Sequence, residues 1–115
     1  ITIDKRLMEA ADIVPYEQVH VLDINNGARF ETYAITGDEG SGQVCVNGAA
    51  ARLVAKGDKV IILTYCHIAE GAAQGYEPRL VYVDSQNRNV RRKTAKEVGE
   101  DLVTSLERGT LSEDG

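Results

Sequence analysis

No apolar run in this chain approaches the ~20 residues that a membrane-spanning helix needs, and no charged start followed by an apolar core marks a secretory signal. The sequence therefore reads as soluble and cytoplasmic, with no membrane partner. Positive charge is in deficit too: 13 Lys and Arg stand against 18 Asp and Glu, a net charge of -5, which argues against a nucleic-acid or anionic-membrane partner. The single basic run, Arg88 to Lys93, is short and reads as a solvated end. Only two cysteines are present, Cys45 and Cys66, both in apolar, strand-like runs. They read as small buried thiols in a reducing compartment, not as a disulfide. His20 and His67 lack ligand-like spacing to each other or to the cysteines, so no metal site is expected. The Gly-rich run GDEGSG, residues 37–42, has no lysine and does not match a phosphate-binding loop. At 115 residues and 12.5 kDa there is room for one domain and no second, burying roughly two thirds of the surface of the unfolded chain.

What is present concentrates between Ile24 and Ala51, INNGARFETYAITGDEGSGQVCVNGAAA. Asn25-Asn26-Gly27 favours a tight hairpin. The returning strand, Arg29 to Thr36, alternates, so Arg29, Glu31, Tyr33 and Ile35 share one face and Phe30, Thr32 and Ala34 the other. Four steps of ~3.3 Å put the Arg29 and Tyr33 Cα atoms about 13 Å apart, a gap that two long side chains can span around a small dicarboxylic acid. Thr32 joins them only through a bulge or a neighbouring subunit. On residue types alone, an Arg and a Tyr such as Arg29 and Tyr33 are more often surface and rim residues. A second strand, Gln43 to Val46, ends in Asn47-Gly48, which turns the chain into a short helical segment from Ala49 to Val54. Backbone N–H groups beside Gly48, Ala49 and Ala50 are open to a carboxylate there, although close packing of a tight turn explains the same residues.

Around this stretch, Asp4 is placed to cap a helix from Lys5 to Ala11 with Leu7, Met8 and Ala11 on one side, and Pro15 blocks its continuation. Strands are expected over Gln18 to Ile24, Val60 to Ile68 and Pro78 to Asp84, with Ala69 to Gly75 helix-tolerant and a polar turn over Ser85 to Asn89. From Val90 the chain is charged, with Val98, Leu102, Val103 and Leu106 offering a weak amphipathic helix. Five or six short strands with brief helical inserts suggest a mainly β fold, a small closed barrel without exposed sheet edges.

Three blocks in order, NGARFETYAI, NGAAA and GDKVII, resemble the large chain of bacterial aspartate 1-decarboxylase, the pyruvoyl family that makes β-alanine. The resemblance runs from Ile1 to about Val98. It implies a six-stranded double-psi β-barrel over residues 1–98, one strand coming from a short β chain released by self-cleavage of a proenzyme, and a charged tail over 99–115, expected to be mobile. It also implies that the start at Ile1, without methionine, follows a serine converted into a covalent pyruvoyl group directly ahead of Ile1. That group would form a Schiff base with L-aspartate and accept the electrons left by carbon dioxide, supplying β-alanine for pantothenate and coenzyme A synthesis. Carried over by position, Tyr33 is the proton donor, Arg29 the clamp on the retained carboxylate, Thr32 a residue supporting the substrate or the cleavage site, and Asn47, Gly48, Ala49 and Ala50 the substrate-binding turn. A homotetramer of αβ protomers is implied as well. The chain departs from the pattern at Arg52, where relatives often carry His or another residue, and at Leu22, where some carry a large aromatic. The alternatives are a non-catalytic barrel serving binding or assembly, and a decarboxylase of another acidic amino acid such as glutamate.

Overall fold

A computed structural model of the protein describes residues 1–93 and 111–112. The fold is mainly β with few short helices, in the element order β1 (Thr2–Asp4), α1 (Lys5–Ala11), β2 (Gln18–Asp23), β3 (Arg29–Tyr33), β4 (Ile35–Gly37), β5 (Val44–Cys45), a 3-10 helix (Gly48–Leu53), β6 (Lys59–Leu63), α2 (Glu70–Ala73), β7 (Leu80–Val83), β8 (Asn89–Lys93) and β9 (Leu111–Ser112). Among the described residues these strands make three sheets, ordered β4-β1-β5, β3-β2-β6-β9 and β7-β8. The expected amphipathic helix through Val98, Leu102, Val103 and Leu106 lies outside the described residues. So does the expected tail, apart from Leu111 and Ser112, which pair with Val60 and Lys59.

β1 sits centrally in its sheet, parallel to β4 and antiparallel to β5. Ile3 of β1 and Ile1 just ahead of it are buried with Leu7 and Met8 of α1, Val19 and Val21 of β2, Val44 of β5 and Val60 of β6. Such alternating β-branched residues are what a pleated, one-face-buried strand selects. The Asp4 carboxylate accepts from the Arg6 N–H at 2.9 Å and so caps α1. Left-handed Asp12 (φ 59°) ends α1, its N–H returning to Glu9 O, so the helix stops before Pro15 can block it.

The β2–β3 hairpin closes through four residues, Ile24 to Gly27, with the Asp23 and Ala28 backbones hydrogen-bonded and Gly27 at φ 76°. Asn25 and Asn26 are both used: the backbone N–H of each donates to Asp23 Oδ1, at 2.8 and 3.2 Å, while the Asn25 side chain takes the Lys59 N–H and the Asn26 side chain donates to Leu53 O. β6 stops at Leu63, short of the expected Ile68, because its ladder with β2 ends at the His20–Leu63 pair. Cys66 is therefore exposed and outside any strand, contrary to the expected buried thiol, whereas Cys45 in β5 is half-buried. Basic residues 91–93, read as a solvated end, belong to β8, whose backbone pairs with β7.

Candidate functional site

β1 and β4 run parallel, and this pairing organises the site. The Ile35 N–H donates to Ile1 O at 2.8 Å, and the Ile1 nitrogen donates to Tyr33 O at 2.9 Å. The start of β1 is thereby fixed beside the end of β3, although 32 positions separate the two residues. On the other flank of β1, Cys45 lies opposite Thr2. Asn47 Nδ2 donates to Thr2 Oγ1 at 2.9 Å, and the Cys45 thiol donates to Asn47 Oδ1 at 3.3 Å, so the Asn47 side chain is held against the first residue of the strand. Gly48 follows at φ 66° with nothing within 4 Å of where a Cβ would stand; the turn is open, and a side-chain-bearing residue would be strained by the backbone alone.

Along β3 the exposed and half-buried residues alternate, with Arg29, Glu31 and Tyr33 outward and Phe30 and Thr32 inward. Tyr33 is 52% exposed, and its ring lies 6.4 Å from that of Tyr16 at 37°. Tyr16 holds a left-handed backbone (φ 68°) and donates its N–H to Ala34 O at 2.7 Å, which locks it beside β3. Thr32 lies opposite Val19, on the face away from Arg29 and Tyr33. The structure thus brings Tyr33, Asn47 and Gly48 to the start of β1, with Ala49 and Ala50 in the 3-10 helix that follows, and leaves Arg29 four residues away at the hairpin end of β3.

Two aspartates are buried near this site, Asp4 at the end of β1 and Asp23 at the end of β2. Asp4 accepts three backbone N–H groups, from Arg6, Gly40 at 3.0 Å and Gly42 at 2.8 Å, and Arg88 stands 3.8 Å away. Burial alone raises its pKa, but these amides and the guanidinium outweigh that and hold the carboxyl below its usual range. Gly42 must be glycine: at φ 71°, a Cβ would meet Gln86 O at 2.6 Å. Arg88 also bonds Gly40 O, and Asn87 Nδ2 bonds Gly42 O at 2.9 Å, so the loop after β4 is tied to the β7–β8 turn. Burial of the Ile1 nitrogen lowers its basicity, with the opposing influence of Cys45 smaller.

Sequence reasoning missed Tyr16 and the Gln18, His20, Glu31 and Tyr65 group on the outward face of the β3-β2-β6 sheet. The alternation of β2 and β3 could have found the His20–Glu31 pairing once the hairpin register was known.

A family model described as Aspartate decarboxylase matches residues 1–90. The chain is 64% identical over 88 residues to Aspartate 1-decarboxylase of Dehalococcoides mccartyi, covering 76% of this chain and 71% of that one. Against Aspartate 1-decarboxylase of Thermoanaerobacter pseudethanolicus it is 57% identical over 90 residues, 78% of this chain and 77% of the other. Against that of Clostridium botulinum it is 48% identical over 103 residues, 90% and 80% of the two chains. The model match spans most of the chain and these relatives are matched over more than two thirds of their own length, so the chain belongs to the aspartate decarboxylase family.

Proposed function

We propose that this chain is the large chain of a pyruvoyl-dependent decarboxylase that converts L-aspartate into β-alanine and carbon dioxide. The observation that carries the reading is the 2.9 Å bond from the Ile1 nitrogen to Tyr33 O, which sets whatever is attached to that nitrogen beside Tyr33 and Asn47. A pyruvoyl group fits there: joined through an amide, the nitrogen keeps its N–H for Tyr33 O and carries no charge, which suits its burial better than an ammonium. When bound, that group supplies a ketone that condenses with the substrate amine and withdraws electrons from the α-carbon.

The chain's own residues do the rest. Arg29 takes the retained side-chain carboxylate in a planar fork, which fixes orientation as well as charge. Tyr33 Oη gives its proton to the α-carbon. Asn47, held by Thr2 and Cys45, and the open backbone of Gly48, Ala49 and Ala50 contact the substrate. Thr32, on the inward face, supports the strand from which Tyr33 projects. A short β chain completes a six-stranded double-psi barrel over residues 1–98, with 99–115 an appended tail. Exposed Tyr16, Tyr65, Leu53 and Ile68 supply apolar area for a homotetramer with sites between subunits. Among the described residues no helix is long and apolar enough to cross a membrane, and the two free cysteines suit a reducing cytoplasm.

Intact mass and sequential degradation of the native protein test the reading. A blocked terminus reducible by borohydride, together with β-alanine formed from aspartate, is the expected result. A free amino group on Ile1 in active, unreduced protein would overturn it.

A further inference from the structure

The outward row of β3 sets Glu31 between Arg29 and Tyr33. Residues two apart on one strand face stand about 7 Å apart at Cα, well within reach for an Arg and a Glu. A carboxylate there is the nearest competitor to any acidic ligand of Arg29. It is engaged elsewhere: Gln18 Nε2 donates to Glu31 Oε2 at 2.8 Å, and His20 Nε2 meets Glu31 Oε1 at 2.7 Å. The hairpin register accounts for both contacts, since His20 lies opposite Glu31 and Gln18 lies one diagonal step away, opposite Tyr33. The residue opposite Arg29 is Leu22, which offers nothing polar. His20 is itself fixed, its Nδ1 3.1 Å from Tyr65 Oη and the two rings edge-on at 5.1 Å and 82°. The hydrogen bond and charge of His20 hold Glu31 below the usual carboxylate range, so it is ionised and would be a strong rival if released. Among the described residues no hydrogen bond or ion pair engages the Arg29 guanidinium.

We propose that Gln18 and His20 are positioning residues for substrate recognition: they divert the Glu31 carboxylate from Arg29 and so keep the guanidinium free for the carboxylate of an acidic substrate. The proposal rests on the reading of Arg29 as the clamp. It predicts a defect confined to binding, removable by neutralising Glu31.

The test uses the mature assembled enzyme, with steady-state kinetics on aspartate and calorimetric binding of succinate, a dicarboxylate without the reacting amine. In the double variant Gln18→Ala with His20→Leu, KM for aspartate and Kd for succinate should each rise about twofold to fivefold, the effect of one exposed ion pair competing for the site, while kcat stays at the parent value. Adding Glu31→Gln to that variant should restore both, and Glu31→Gln alone should change neither. Unchanged binding in the double variant, or a defect that Glu31→Gln does not restore, would overturn the proposal; the second result would assign the residues a merely structural role. Succinate binding needs no turnover, so that arm decides the question even if β-alanine is not formed. Succinate affinity indifferent to Arg29→Ala would remove the clamp and the proposal with it, leaving the reading of the Ile1 terminus untouched.

Discussion

β1 and β2 each end in a buried aspartate, and the two carboxyls are pushed in opposite directions. At the end of β1, Asp4 is 2% exposed and receives three backbone N–H groups with a guanidinium nearby. At the end of β2, Asp23 is equally buried, but its Oδ1 takes the Asn25 and Asn26 N–H groups while its Oδ2 has no donor. Its neighbour is another carboxylate, Asp58, held by the Ala55 N–H at 2.9 Å. At equal burial, the donors and charges aimed at an aspartate decide which way its pKa moves. Asp4 is thus a fully satisfied latch pushed toward the ionised form, and Asp23 a half-satisfied one pushed toward the protonated form.

The sharpest way to break this comparison is at the chemistry of the Tyr33 end of β3. Tyr33→Phe removes one exposed hydroxyl and keeps the ring against Tyr16. Folding should survive, while β-alanine formation falls by roughly 10²- to 10⁴-fold, the range for a positioned general acid. A folded variant working at the parent rate would show that the proton comes from elsewhere.

Next in size is the latch itself. Asp4→Asn keeps one acceptor oxygen but turns an amino group toward the Gly42 N–H, leaving two donors face to face in a buried site. The expected loss is about 2–3 kcal/mol in urea unfolding at neutral pH. The folded-state pKa of Asp4 is lowered, so its stabilisation is present above the unfolded value near ~4 and is lost as pH falls through the folded value. The asparagine variant should lack that part of the acid transition, and an unaltered acid unfolding curve would show that Asp4 does not control it.

What the sequence disclosed about these two ends is uneven, for a physical reason. Local signals carried well: the Asp4 cap and the three- and four-residue spacing gave helix α1 its observed limits, Lys5 to Ala11, and the period-2 alternation of β3 separated Arg29 and Tyr33 from Thr32. Strand β6 is shorter than its composition suggests because strand-forming residues at 64–68 say nothing about where pairing stops, and the β2–β6 ladder ends at the His20–Leu63 pair. β8 was missed because backbone pairing ignores the charge of residues 91–93. The Ile1 contact with Tyr33 depends on a parallel pairing across 32 positions, and the two-donor hold on Glu31 on the register of a hairpin. Neither leaves a periodic trace.

At the Arg29 end the effects should be smaller. Arg29→Lys keeps a charge and loses the planar fork, so the Kd for succinate should weaken by about tenfold, one lost charge-assisted hydrogen bond, with the Ile1 terminus unaltered. Unchanged binding would place the clamp on another residue.

The smallest effect, and the one that separates the two latches most cleanly, belongs to Asp23→Asn. Asp23 and Asp58 attract each other only while one of them carries a proton. Burial, then the hydrogen bond to Asp58, raises Asp23, whereas the same bond and the Ala55 N–H lower Asp58. A proton on the pair is therefore favoured on Asp23 over Asp58. A carboxyl whose folded pKa is raised contributes stability that is fully present below the unfolded value near ~4 and is lost as pH rises through the folded value, the reverse of Asp4. Asparagine supplies a permanent N–H for Asp58 and keeps the oxygen for Asn25 and Asn26. Relative to the parent, the variant should be favoured more at about pH 8 than at about pH 4, by up to about 1 kcal/mol, because the contribution of a raised carboxyl fades as pH rises. Urea unfolding of both proteins at the two pH values measures this. The same difference at both would mean that the pair does not titrate between them, and that the hairpin end of β3 is held by Asn25 and Asn26 alone.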